Sequence, residues 1–248
     1  SFIFSLSKSF SKNQYDTILV FATSPIIQTY VGIFLKKKFN ARLVTWIQDL
    51  WPNNIKITGY IKNNYLIKLI TLIVKNIYSK SDVLLVQSPE FILEIKKIFD
   101  HKNIQYCPNP GHKFQAIREF KRKKHTLKEG FNFLYAGNIG KVQSLDILIK
   151  AAKILYLKKY NLNINLIGDG SYKKILESKV RKQNIKNVYF YDRVSQIKMK
   201  SIYDEADVLI LSLQKNLELS KTIPGKLQTY MSLSKPILCF ADGASKKI

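Results

Sequence analysis

Four short stretches of the chain carry residues whose types and spacing could bind a diphosphate or line a ligand site. The first is Lys221 to Phe240, KTIPGKLQTYMSLSKPILCF. Pro224 fits the first helical position, where a missing N–H costs nothing, and Gly225 leaves room for another group to approach the backbone. A helix from there to about Leu233 aims free N–H groups and the positive end of its dipole at the preceding loop, with Lys226 one residue inside. Read without a ligand, the same stretch is an ordinary helix packed on a sheet. The second stretch, Gly137 to Ser144, has glycines at Gly137 and Gly140 that let amides reach a phosphate, and Lys141 adds charge. The third is the exit loop Gly168-Asp169-Gly170. The fourth, Gln48-Asp49-Leu50-Trp51-Pro52, follows an apolar run, and in a doubly wound sheet ligands bind in such loops at the carboxyl ends of strands. That places Asp49 and Trp51 at a candidate site, while a helix cap and a packing residue explain them as well.

These stretches together resemble a known family. Ile223, Pro224, Lys226, Tyr230, Lys235, Pro236 and Ile237 match the donor-site motif I-P-S-K-x-x-x-Y-x-A-x-G-K/R-P-I of the retaining family 4 glycosyltransferases of GT-B fold, with Gly225, Ser232 and Ser234 replacing its Ser, Ala and Gly. Gly137 to Leu145 is similar to the G-N-I-G-K-x-Q-G/S-L signature of WbuB-type sugar transferases of bacterial surface polysaccharide assembly, which include L-fucosamine transferases. Ser24-Pro25 and Asp49-Leu50-Trp51-Pro52 resemble the amino-terminal domain of the same enzymes, with Asn53 where a Glu often follows.

The resemblance implies transfer of an N-acetylated amino sugar from a nucleotide-diphosphate donor, expected to be UDP-linked, to a lipid-diphosphate-linked acceptor. The setting would be O-antigen, lipopolysaccharide or capsule biosynthesis, with retention of configuration and with no metal or other cofactor. It assigns the donor to Gly137, Asn138, Gly140, Lys141, Gln143, Gly168, Gly170, Arg193, Pro224, Gly225, Lys226, Thr229 and Tyr230. Ser24, Pro25 and Trp51 fall on the acceptor side, with Asp49 positioning or deprotonating the acceptor hydroxyl. Asn138 and Gln143 align where many members carry Arg and Lys, and Lys221 and Thr229 where many carry glutamates. Arg193 reads equally as a base-side contact and as a surface charge.

To hold these loops the chain needs two strand-helix series. Apolar runs predict buried strands at Tyr15 to Ala22, Arg42 to Ile47, Val83 to Val86 and Ile104 to Cys107, with helices from about Ile26 to Lys37, Asn63 to Lys80, and Pro89 to Ile98 behind a Ser88 cap. A second series predicts strands at Phe131 to Ala136, Leu162 to Ile167, Val188 to Tyr191, Val208 to Leu211 and Ile237 to Phe240. The last of these reads as covered on both faces. Ser144 and Asp146 are expected to open a helix through Tyr160. The fold expected is α/β GT-B, two facing Rossmann-like domains with parallel sheets, over 1–110 and 131–248, joined by a basic linker at 111–130. Both domains read as incomplete at their outer ends, so that the chain is expected to be an internal fragment.

The chain has 248 residues, 46% of them hydrophobic, and a formal charge of +24, which asks for an anionic partner. Nucleic acid, an anionic bilayer face and phosphorylated small molecules compete for that place, and many of the lysines are explained by solvation alone. The run Lys121-Arg122-Lys123-Lys124 lacks the stacking aromatics or recognition helix of a specific nucleic-acid site, so no nucleic-acid partner is expected. A GT-B nucleotide-sugar epimerase is a further alternative, one that relies on cleft acids and histidines scarce here. The helix at Asn63 to Lys80 is basic and amphipathic, which fits either an anionic membrane surface or core packing with lysines on the wet side. His101, His112 and His125 stand at no ligand spacing, and Cys107 and Cys239 read as reduced and partly buried. No run is long enough to span a bilayer, and the expected location is cytoplasmic, peripheral on the inner face of the plasma membrane.

Overall fold

The computed structural model describes residues 15–53, 55, 63–111 and 126–248. The chain divides into two compact units, 1–108 and 109–248. Most of the basic linker, with His112 and His125, lies outside the described residues.

The first unit is a parallel sheet in sequential order, β1 (Thr17–Ala22), β2 (Arg42–Ile47), β3 (Val83–Val86) and β4 (Ile104–Tyr106). The crossovers are α1 (Thr29–Phe39), which follows a 3-10 turn at Ile26–Gln28, then α2 (Asn64–Lys80) and α3 (Pro89–Ile98). Leu43, Ile47, Leu84 and Val86 of the sheet meet Ile33 of α1, Val74, Ile77 and Tyr78 of α2, and Phe91 and Ile95 of α3 in one core. Asn63 starts α2 by accepting the Tyr65 and Leu66 amides at 2.9 and 3.3 Å. Ser88 stands at the α3 cap position, but its hydroxyl donates to the Glu90 carboxylate instead. β1 differs from the buried strand its composition predicts: among the described residues it is the sheet edge, and Leu19 and Phe21 are exposed.

The second unit is a five-stranded parallel sheet ordered β7-β6-β5-β8-β9, with β5 (Phe131–Ala136), β6 (Leu162–Ile167), β7 (Val188–Tyr191), β8 (Val208–Ser212) and β9 (Ile237–Phe240). The order reverses between β5 and β8, which makes a switch point where doubly wound sheets open a crevice. Its helices are α4 (Asp146–Leu157), α5 (Lys173–Lys182), α6 (Gln196–Glu205), α7 (Gly225–Met231) and α8 (Ala244–Lys247).

Three sequence expectations change here. Ser144 does not cap α4: it ends a 3-10 turn at Lys141–Gln143 in the left-handed region, φ 50°, so α4 starts at Asp146 and stops at Leu157. Pro224 is the residue before α7 rather than its first, because its ψ of 135° is extended. α7 then closes at Met231 as the Ser232 hydroxyl donates back to the Thr229 carbonyl at 2.7 Å. β9 is an edge strand among the described residues, not one covered on both faces, and leaves Leu238 and Cys239 exposed.

Candidate functional site

Strand register assembles the loops of the second unit. Ala136 pairs with Ile167 and Ile167 with Tyr191, so the next residues, Gly137, Gly168 and Asp192, emerge side by side at the carboxyl ends of β5, β6 and β7. The Gly137 amide donates to the Ile167 carbonyl at 2.8 Å, the Gly168 amide to Tyr191 at 3.1 Å, and the Ile139 amide to Asp169 at 2.8 Å. Gly137, Gly168 and Gly170 have φ of 140°, 139° and 157°, and a Cβ on Gly168 would lie 2.0 Å from the Gly137 carbonyl oxygen. Only glycine allows that stacking. The loops wall a cavity of about 410 Å³ lined by Gly137, Asn138, Gly168, Asp169, Arg193, Val194, Met199 and Tyr203.

α7 brings a lysine up against Gly137 at the rim of these loops. Tyr230 is fully buried, and its hydroxyl accepts the Ala136 amide at 3.1 Å, which ties α7 to the end of β5. One turn earlier, the Lys226 ammonium sits 3.7 Å from the centre of the Tyr135 ring, and 2.7 Å from where a Gly137 Cβ would be. It has no hydrogen bond or ion pair among the described residues, and burial pulls its pKa down to about 7. The Tyr135 hydroxyl, its pKa raised by burial, donates to the Asn138 carbonyl at 2.6 Å and so holds the loop over the ring.

The amides of the glycine loop are mostly spent. Gly137 and Ile139 use theirs between loops, and Gly140 donates to the Gln143 side-chain oxygen at 2.9 Å, which leaves the Asn138 amide for a ligand among the described residues. The amide cradle expected across Gly137 to Gly140 is therefore narrower than its glycines suggest, and Gln143 acts inside the loop. Thr229 is buried with its hydroxyl on the Gly225 carbonyl at 3.1 Å, and Lys141 is exposed on the 3-10 turn; neither lines the cavity. Gly225 is exposed, with nothing nearer than 3.8 Å to a built Cβ. Pro224 adjoins it, and exposed Arg193 lines the cavity.

Lys173 is a residue that sequence reasoning missed. It is only 8% exposed, and its ammonium donates to the Gly168 carbonyl at 3.1 Å, the Tyr191 carbonyl at 3.2 Å and the Asp192 carboxylate at 2.7 Å. That contact holds the Asp192 carboxyl below its usual pKa. The available signal was a Lys one helical start beyond Gly168-Asp169-Gly170, which reads as just another lysine in a basic chain. Lys173→Met is expected to cost about 2–3 kcal/mol in urea unfolding, because two loop carbonyls lose a charged donor. An unchanged midpoint would show that the ammonium does not tie the loops.

The first unit builds a separate cluster by the same rule. Ala22 pairs with Ile47, so the residues two beyond each, Ser24 and Asp49, stand together. The Ser24 hydroxyl donates to the Asp49 carboxylate at 2.7 Å and accepts the Trp51 indole N–H at 3.1 Å. Pro25 follows a cis peptide, and the Trp51 ring packs on the core. Asp49 is thus held by a hydroxyl, with Trp51 serving both packing and the cluster. His101 is structural, bonded to the Ser81 carbonyl at 2.9 Å and to the Asn103 amide at 3.1 Å. The described residues contain no group of three metal-ligating side chains and no helix long and apolar enough to cross a membrane.

Residues 117–248 match the sequence profile of the family described as Glycosyl transferases group 1. No curated protein matches the chain. Among solved structures it is similar to sucrose-phosphate synthase from Thermosynechococcus elongatus, at 16% identity and TM-score 0.69 over 98% of this chain and 60% of that one. Anabaena HepE in complex with UDP and glucose aligns at 12% identity and TM-score 0.69, over 99% and 64%. The pneumococcal O-GlcNAc transferase GtfA in complex with UDP and GlcNAc aligns at 15% identity and TM-score 0.62, over 99% and 46%. The chain spans about half the length of the structures it matches.

Proposed function

Because the chain belongs to the glycosyl transferases group 1 family and has the GT-B fold, we propose that it transfers a sugar from a UDP-linked donor, with its second unit binding the diphosphate. The observation that carries this is the Lys226 ammonium, held without an anionic partner against Gly137 beside a cavity lined by Asn138 and Arg193. Breaking a glycosidic bond to a diphosphate builds negative charge on the leaving oxygens. A lysine and an amide already in place stabilise that charge without reorganisation. Lys226 and the Asn138 amide take the phosphates, Arg193 and the backbone from Asp192 take the nucleoside side, and Lys173 keeps their loops in register. UDP is the nucleotide named in two of the three similar structures given above.

The finer reading rests on the WbuB-type motifs: an N-acetylated amino sugar, a lipid-diphosphate-linked glycan as acceptor, retention of configuration, and a place in O-antigen or capsule assembly at the inner membrane face. In it Asp49, oriented by Ser24 and Trp51, positions the acceptor hydroxyl, and no metal is needed because Lys226 and the Asn138 amide meet the charge.

Thermal unfolding at fixed ionic strength with UDP, GDP, dTDP or a short DNA duplex tests the reading. UDP is expected to raise the transition, by about 2.7 kcal/mol at a hundredfold excess over Kd, and the others far less. A rise with duplex alone, vanishing at high salt, would replace this reading with nucleic-acid binding.

A further inference from the structure

One side chain stands behind both groups assigned to the diphosphate. Tyr135 is fully buried near the end of β5 and shares a core with Ile139, Leu145, Leu148 and Ile210, which fixes its ring. The Lys226 ammonium lies 3.7 Å from the centre of that ring and 2.7 Å from where a Gly137 Cβ would be, so it is held between an aromatic face and glycine backbone. The hydroxyl at the far end of the ring donates to the Asn138 carbonyl at 2.6 Å. Among the described residues no other group donates to that carbonyl, so this bond closes the turn from Tyr135 to Asn138, the residue that offers its free amide.

A core position that asks only for volume is met by Phe or Leu. Tyrosine brings a hydroxyl whose burial is costly unless it is bonded, and here the bond goes to a loop carbonyl at the site and not into the sheet. Lys226 points the same way. A long side chain on a helix ordinarily carries its ammonium out to water, whereas this one lies on a ring face with no acceptor. Each contact fixes a polar group at the mouth of the loops.

We propose that Tyr135 is the positioning residue of the diphosphate site, its ring face seating Lys226 and its hydroxyl setting the Asn138 turn. This rests on the assignment of the diphosphate to Lys226 and the Asn138 amide, and adds that the two are placed by one side chain.

The test is calorimetric titration of UDP into wild type, Tyr135→Phe and Tyr135→Leu, each with Lys226 intact and with Lys226→Met, below the melting temperature of every variant. Tyr135→Phe loses only the hydroxyl and is expected to weaken binding about 3- to 10-fold in either background, since the Asn138 turn does not depend on the lysine. The further step from Phe to Leu removes the ring face. It is expected to weaken binding about 10-fold more with Lys226 present, and about twofold or less with Lys226→Met. Where Tyr135→Leu fails to fold, Tyr135→Met serves as the faceless variant, and if neither folds Tyr135→Phe decides alone. A tyrosine that only fills the core would lower the melting temperature and weaken UDP equally in both backgrounds for the Phe-to-Leu step, which would overturn the proposal. Wild-type affinity in Tyr135→Phe would overturn it as well. Unchanged affinity in Lys226→Met alone would instead remove the diphosphate assignment, and the positioning role with it.

Discussion

Gly168→Ala is expected to destabilise the chain by about 3–5 kcal/mol, the sum of a forbidden backbone conformation and an overpacked contact. Its φ of 139° is closed to side chains, and the new methyl carbon would stand 2.0 Å from the Gly137 carbonyl oxygen. That oxygen has nowhere to go, because the Gly137 amide continues the ladder to Ile167 and Lys173 pins Gly168 from the other side. A loss of this size is a large share of the roughly 5–15 kcal/mol that holds a domain together, and it would lower the melting temperature by roughly 10 °C. UDP protection should vanish with it. Gly225→Ala is the contrasting control: its built Cβ meets nothing closer than 3.8 Å at the start of α7, so a neutral or slightly stabilising change, up to about 1 kcal/mol, is expected. Calorimetry on the two variants separates them. Equal melting temperatures would mean that the stacked glycine loops do not carry the site.

The strands and the order of elements were legible because buried parallel strands read as short apolar runs, and turn residues bound most of them. Leu162 to Ile167 and Val188 to Tyr191 needed nothing more. What was not legible depended on contacts far apart in sequence. The exposed faces of β1 and β9 follow from edge positions that no local pattern announces. The start of α4 turned on Gln143 reaching the Gly140 amide in a 3-10 turn, which left Ser144 one residue short of the cap position.

The glycine loops were legible from sequence, but what their glycines stand against in the fold was not. Spacing shows that backbone can come close, and cannot show whether the approaching group is a ligand or another loop. At Gly168 and Gly170 the close neighbours are the Gly137 and Ile139 carbonyls. Lys173 was hidden for the opposite reason, since a lysine that ties two loops looks like any other in a chain with 41 Lys and Arg. Ser24, Asp49 and Trp51 were assigned to one side of the site from two separate stretches, and the β1–β2 register is what brings those stretches into contact.

Lys226→Met is expected to stabilise the empty chain while weakening UDP binding about 10- to 100-fold, the loss of one charge-assisted contact. The ammonium lies over the Tyr135 ring with no acceptor, and burial brings its pKa from 10.5 to about 7. A ring face offsets only part of the cost of desolvating a charge. The sign follows from proton counts. Between about pH 7 and 10.5 the unfolded chain holds this proton and the folded chain does not, so stability from this group rises with pH across that window. Below it both forms are charged and the full penalty remains. The methionine variant should therefore gain most at pH 6 to 7, on the order of 1–4 kcal/mol, and its advantage should shrink as pH approaches 10. The same balance predicts that UDP brings the proton with it. At pH 8 the free amine is mostly neutral, and a bound diphosphate restores its charge, so calorimetric titration in buffers of different ionisation enthalpy should register uptake approaching one proton, falling toward none at pH 6. A destabilised Lys226→Met with no proton uptake would mean that the ammonium is already paired in the free protein, and that the diphosphate is held elsewhere.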